Sequence, residues 1–507
     1  MSSILKERRG GILLHPSSLP NKYGIGDFGP ELYKFVDFLH TQKLNLWQIL
    51  PLGPTGYADS PYQSFSAFAG NPMLISFEKL TEMNLLETSE YEPTKSFPDT
   101  HVDFGRIIEY KWKHLEIAFN EFQKDQFHDF EKEFNQFVDK HDFWLEDFSI
   151  FMSIKLENDL RAWIEWEKEL RFHESSSIEK WKKNHETEIL FQKFTQFLFF
   201  RQWKEAKKYA NQKDIQIIGD IPIFVAYDSV DVWAHPEYYQ LDEERKLKYV
   251  AGVPPDYFSE TGQRWGNPLY KWDEMKKEGY KWWIQRIKHC FEIVDILRID
   301  HFRGFESYWQ IPASEKTAKI GEWKPGPGIE IFRKFQQELG ELAIIAENLG
   351  FITPEVENLL QDTGYPGMKI LQFAFEEKDE NNAKNKFLPH NYDQNSIAYT
   401  GTHDNQTTRA WFNDLSKKVK NHILKYVNSD EKDIVGNLIR LIWSSVANMA
   451  VIPLQDLLRL DDSARMNTPG TTSDNWRWRF TWNQFNKEFS DELTSMSQLY
   501  GRVSSTR

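Results

Sequence analysis

Residues Ile293–Pro312 read IVDILRIDHFRGFESYWQIP. The first half is β-branched and aliphatic, and it runs directly into charge. As a strand it places Ile296, Arg298 and Asp300 on one face, because side chains alternate with period two. A guanidinium two residues before a carboxylate then stands beside it, which favours the ionised form and lowers the carboxylate pKa. An ionised, oriented aspartate at the end of a buried strand suits a nucleophile. The plainer alternative is a salt bridge at a strand end. The two are separated by how the rest of the chain is built.

Seven further apolar runs punctuate the chain: GILL (11–14), LWQILPL (46–52), IQIIGDI (215–221), LAIIA (342–346), and the segments 368–375, 397–402 and 449–454. Helical patterns separate most of them. In 31–42, for example, Leu32, Phe35, Val36 and Leu39 share one face. Strand, helix, strand is the unit of a parallel sheet. Eight such strands predict an α/β fold, a (β/α)8 TIM barrel. The barrel is expected to span 1–507 as a single catalytic unit. A large, mostly helical insertion is expected at 75–212, after the second strand. There Ile108, Trp112, Leu115, Phe119 and Phe122, then Leu190, Phe194 and Phe197, mark amphipathic helices whose rings read as packing. Residues 222–278 read as a loop-rich insertion at the active-site face. Within them 249–270 is a long Gly/Pro/aromatic loop of the kind that binds or covers ligands. A Gly/Pro loop is also expected at 321–328.

The chain has 507 residues and a formal net charge of −14. That balance argues against a nucleic-acid partner, which needs a basic surface, and suits a neutral substrate better. Aromatic residues make up 15% of the chain, more than enough for a core with rings left to line a cleft. Cys290 is the single cysteine, so no intrachain disulfide or thiolate metal cluster is expected. The N-terminal MSSILKERRG lacks the apolar core of a signal peptide. No run of about 20 apolar residues is present, so no membrane span is expected. These features read as a cytoplasmic protein.

Three strand ends carry acids: Asp300 after the fourth, Glu347 after the fifth and Asp404 after the seventh. Barrel active sites lie on the face where strands end, so a closed barrel delivers all three to one cleft. Two facing carboxylates are what glycoside cleavage needs, one as nucleophile and one as proton donor. A third can hold sugar hydroxyls and stabilise oxocarbenium-like charge.

The motifs HPSSLP (15–20), ADSPYQ (58–63), GDIPIFVAYDSVDVW (219–233), GVPPDYFSETGQRWGNPLY (252–270), RIDHFRGF (298–305), IAENLG (345–350), YTGTHDN (399–405), VIPLQDLL (451–458) and ARMNTPGT (464–471) cover nearly the whole chain in order. With them the sequence resembles the amylomaltases, 4-α-glucanotransferases of the α-amylase clan, also called disproportionating enzymes. The resemblance implies Asp300 as nucleophile, Glu347 as acid/base and Asp404 as transition-state stabiliser. It also implies sugar-contacting or acid-orienting roles for Ser60, Tyr62, Asp220, Asp256, Trp265, Arg298, His301, His403 and Asn467. Trp265 would sit on a loop arching over the cleft. Asn348 stands where many relatives carry aspartate beside the acid/base. The implied activity is retaining transfer of α-1,4-glucan segments to the 4-hydroxyl of glucose or another glucan. The implied partners are α-1,4-glucans, maltooligosaccharides and glucose, with no metal or organic cofactor. An α-1,4-glucan hydrolase of the same clan is the near alternative, and a non-catalytic glucan-binding protein the remote one.

Overall fold

A computed structural model describes residues 3–124, 128–255, 259–375 and 383–503. Eight parallel strands close into a barrel: β1 (Arg9–Leu13), β2 (Leu46–Gln48), β3 (Gln216–Pro222), β4 (Ile296–Asp300), β5 (Ile344–Ala346), β6 (Gly367–Ile370), β7 (Ser396–Tyr399) and β8 (Met449–Pro453). Each pairs with its neighbour in sequence, and β8 pairs with β1 to complete the ring. All but the ends of these strands are buried, as expected where one face fills the barrel and the other meets helices. The helix Pro30–Thr41 buries the predicted face, Leu32, Phe35, Val36 and Leu39, and carries proline in its first turn. At Gly11 the closure is so tight that a Cβ would stand 2.2 Å from the Leu46 carbonyl oxygen. Only glycine lets β1 lie against β2 there.

The stretch between β2 and β3 is built on long helices, Phe104–Phe122, His128–Glu157 and Glu186–Gln212. Their seam is aromatic; Phe122 stacks on Phe194 with centroids 4.8 Å apart, and Phe134 meets Phe197 edge-on. The buried face of the first helix is Ile107, Lys111, His114, Leu115, Ala118, Phe119 and Phe122. Ile108, expected on that face, is 37% exposed. Lys111 is buried because its ammonium donates to Asp27 Oδ2 (3.2 Å) and the Ile75 carbonyl (2.7 Å), tying this helix to the loop after β1. Lys111→Ala would strand a buried carboxylate. We expect a loss of about 3–5 kcal/mol of unfolding free energy, measured by urea denaturation.

The expected loops at 249–270 and 321–328 each contain strand. Gln263–Pro268, Tyr249–Val253, Ser307–Pro312 and Glu322–Pro325 pair in that order as a four-stranded antiparallel sheet. The sheet is assembled from the connections that follow β3 and β4. It therefore stands at the C-terminal face of the barrel, with its own small core of Val250, Ile311 and Ala318. The sixth strand also ends earlier than expected. Leu371–Ala374 turn into a 3-10 helix once the chain clears the barrel rim. Among the described residues no helix is long and apolar enough to cross a membrane.

Candidate active site

The register of the barrel assembles the site. Asp220 on β3 lies directly opposite Arg298 on β4. The Arg298 guanidinium donates to both Asp220 oxygens, at 2.7 and 2.6 Å, and to Asp300 Oδ1 at 2.9 Å. Its remaining edge, Nε, donates to Met368 Sδ at 3.3 Å. Tyr62 reaches in from the loop after β2, and its hydroxyl donates to Asp220 Oδ2 at 2.8 Å. A planar cation is thus fixed on three sides, and it fixes Asp300 in turn. Burial alone would lower the Arg298 pKa; the charges of Asp220 and Asp300 outweigh it and hold the guanidinium charged.

On β5, Ala346 pairs with Ile299 of β4, so Glu347 and Asp300 stand side by side one step beyond the last pair. Glu347 is buried. Its Oε2 accepts from the His301 peptide N–H at 2.8 Å and its Oε1 from that of Leu349 at 2.7 Å. Asn348 caps the neighbouring strand instead of touching the acid: its Oδ1 accepts from the Met368 peptide N–H at 2.8 Å. His301 adopts φ 53°, the left-handed region uncommon for a residue with a Cβ. That conformation points its N–H at Glu347, an example of local strain spent at a functional site.

Burial pushes the Glu347 carboxyl up to about 7, and the Asp300 charge pushes the same way; Arg298 and the two peptide N–H groups oppose them. Asp300 is raised to about 6 by burial, against the pull of Arg298. The sequence alone predicts a lowered Asp300; the arginine acts as expected, but desolvation outweighs it. Two adjacent carboxyls then differ in proton affinity, and the one bonded directly to the guanidinium ionises first. That is the division of labour an acid and a nucleophile need.

Asp404 follows β7 on a turn closed by Asn405, whose side-chain oxygen accepts from Thr402 N and Oγ1. Its Oδ1 accepts from Asn467 Nδ2 at 2.6 Å, and His403 Nε2 lies 3.4 Å from Oδ2. Arg465, which sequence reading left without a role, ties the two loops together by donating to the Asp404 and Asn467 carbonyls. His403 stacks on Tyr62 with ring planes 12° apart, and Trp476 packs against both rings. Trp476 lies outside every motif, and Met368 looks like ordinary core, so neither carried a signal in the sequence. Behind His403 a cavity of about 30 Å³ is lined by His15, Ser18 and Arg465. His15 Nδ1, Ser18 Oγ and His403 Nδ1 are buried without protein partners, and a cavity of this size takes one or two waters.

Trp265 lies on the edge strand of the antiparallel sheet and meets His301 edge-on, with centroids 4.7 Å apart. It lies on a strand, where a loop is expected, and its contact is with the residue whose peptide N–H holds Glu347. His301 Nε2 is buried with no protein partner beside it, and burial lowers its pKa to about 3, so the ring is neutral. Ser60 accepts from the Tyr62 peptide N–H at 3.2 Å and so shapes the turn that carries Tyr62. Asp256 lies outside the described residues.

Comparison with known proteins gives a single answer. A family model described as 4-alpha-glucanotransferase matches residues 14–484. The chain is 47% identical over 503 residues to a 4-alpha-glucanotransferase of Synechocystis, covering 98% of this chain and 99% of the relative. It is 46% identical over 504 residues to a 4-alpha-glucanotransferase of Thermus thermophilus, with the same coverage. Its fold superposes on an amylomaltase from Streptococcus agalactiae, solved with acarbose, with a TM-score of 0.95 at 40% identity. The match covers 98% of this chain and all of the other. By sequence over nearly its full length, and by fold, the chain belongs to the 4-alpha-glucanotransferase family, the amylomaltases.

Proposed function

We propose that the protein transfers α-1,4-glucan segments between maltooligosaccharides, with retention, through a glycosyl ester on Asp300. The observation that carries this reading is the pairing of Asp300 and Glu347 on adjacent strand ends, one tied to Arg298 and the other held near neutral pKa. In the first half-reaction an Asp300 oxygen attacks the anomeric carbon and the bond to the leaving 4-oxygen breaks. Glu347 gives that oxygen its proton. In the second, the 4-hydroxyl of an acceptor glucan attacks the same carbon, passes its proton to Glu347 and releases Asp300. Two inversions give net retention. Asp404, held by Asn467, faces the positive charge that builds on the ring. Trp265 and Tyr62 give apolar faces to sugar rings and keep water from the ester. His301 Nε2, buried and without a protein partner, is placed to meet a sugar hydroxyl.

Incubation with maltotriose tests this. Transfer yields glucose and longer chains at a constant count of reducing ends. A rising count without longer products would mean hydrolysis and would end the transferase reading. Arg298→Lys keeps the charge but loses the planar fork that aligns Asp300 with Asp220. We expect kcat on maltotriose to fall on the order of 10²-fold, read from initial rates of glucose release.

A further inference from the structure

Away from the catalytic mouth, two histidines and a glutamate converge where the helical insertion meets the barrel. His141 lies on the helix His128–Glu157, and His289 and Glu292 lie three residues apart on the helix Lys281–Ile293, which leads into β4. One ring nitrogen from each histidine and a carboxylate oxygen of Glu292 all lie within 4.8 Å of one another. His141 is 6% exposed and His289 3% exposed, while the Glu292 side chain is 37% exposed.

We propose that His141, His289 and Glu292 form a site for a divalent transition-metal cation, best matched by zinc, that fastens the helical insertion to the barrel. Two features support it. First, His289 Nε2 lies 2.8 Å from the Phe68 carbonyl oxygen. A carbonyl only accepts, so Nε2 carries the proton and Nδ1 is left with a free lone pair. A second nitrogen anchored to a backbone carbonyl is the usual setting of a metal-bound histidine. Second, among the described residues the His141 ring makes one hydrogen bond, a long one, 3.4 Å from Trp144 Nε1 to Nδ1. Coordination through either nitrogen costs no more than that contact.

Two imidazoles and a carboxylate are a zinc ligand set, with solvent at the exposed Glu292 side completing four. Tetrahedral ligands stand roughly 3.3 Å apart, so the group must tighten. The mobile partner is Glu292, a long side chain at the surface. Its Oε2 accepts from Lys140 at 2.7 Å, leaving the other oxygen for the metal. Around the histidines Phe68, Trp144 and Phe200 form an apolar wall. His289 also touches the chain that carries Tyr62, through Phe68. A bound ion would therefore join the insertion, the barrel and the loop after β2.

The test is a zinc chloride titration of chelator-treated, desalted full-length protein in competition with a chromophoric chelator. The expected result is one equivalent bound by the wild type, weakened at least 10-fold in His141→Ala and in Glu292→Gln, together with a zinc-dependent rise in melting temperature that Glu292→Gln loses. Glu292 is at the surface, so Glu292→Gln decides the matter if His141→Ala fails to fold. Absence of stoichiometric binding would overturn the site. Binding of equal strength in Glu292→Gln would also overturn it, since the ion would then be held elsewhere, as on the acids at the barrel mouth.

Discussion

Replacing Asp300 by asparagine is expected to lower kcat for disproportionation on the order of 10⁴-fold or more, with little change in the melting temperature. Asparagine is nearly isosteric, and its oxygen can still accept from Arg298. What is lost is the nucleophile, and no other carboxylate lies in the same place. Asp220 is fully occupied, with both oxygens held by Arg298 and one also by Tyr62. Asp404 is held by Asn467 on a different strand end. Losing a nucleophile removes the covalent route as a whole. The measurement is glucose release from maltotriose beside the thermal unfolding curve of the same preparation. Turnover within 10-fold of wild type would remove Asp300 from the role.

Replacing Glu347 by glutamine is expected to cost on the order of 10³-fold in kcat with natural glucans, within the range general acid catalysis supplies. The loss should depend on the leaving group. An aryl α-maltoside whose phenol leaves without a proton should still glycosylate Asp300 at a rate within about 10-fold of wild type. Release of the ester then lacks its base, so a burst of one phenol per enzyme should precede a slow steady state. The pH profile gives an independent reading. Above about 7 Glu347 loses the proton it must donate, and below about 6 Asp300 gains one and stops attacking. Wild-type kcat/KM should therefore be bell-shaped, falling on the acid side with Asp300 and on the alkaline side with Glu347. In Glu347→Gln with the aryl substrate the alkaline limb should vanish and the acid limb should remain.

The barrel was legible because each of its strands is an apolar run bounded by turns or helices, and each pairs with its neighbour in sequence. The antiparallel sheet was not, for two reasons. Its strands are rich in glycine, proline and aromatic residues, and its central pairing, Tyr249–Val253 with Ser307–Pro312, joins segments from either side of β4. No local pattern encodes such a pairing. The buried face of the helix Phe104–Phe122 was misread by one position at its start. The periodicity counts Ile108 as apolar, but the structure buries Lys111 and His114, each satisfied by specific acceptors. Of the site residues, the motifs carried Tyr62, Asp220, Arg298, Asp300 and Glu347; the register brings the last four together, and Tyr62 joins them from its loop through Asp220. Met368 and Trp476 could not be read, because a thioether against a guanidinium and a ring against a ring look like core until both partners are placed. The Asp300 pKa went the other way from the sequence expectation because a neighbouring charge is visible in a strand, whereas the depth of burial is not.

The ester itself is the most direct object to catch. Glu347→Gln enzyme, mixed with an α-maltosyl fluoride in the absence of acceptor, should accumulate the intermediate, since fluoride leaves without a proton and the base for release is gone. Peptic digestion at low pH followed by mass spectrometry should find a maltosyl increment on the peptide containing Asp300, with the fragment ions placing it on that side chain. A maltosyl group on Asp404, on Asp220 or on no peptide at all, while fluoride is still released in a burst, would contradict the assignment of Asp300 as the atom donor to the sugar.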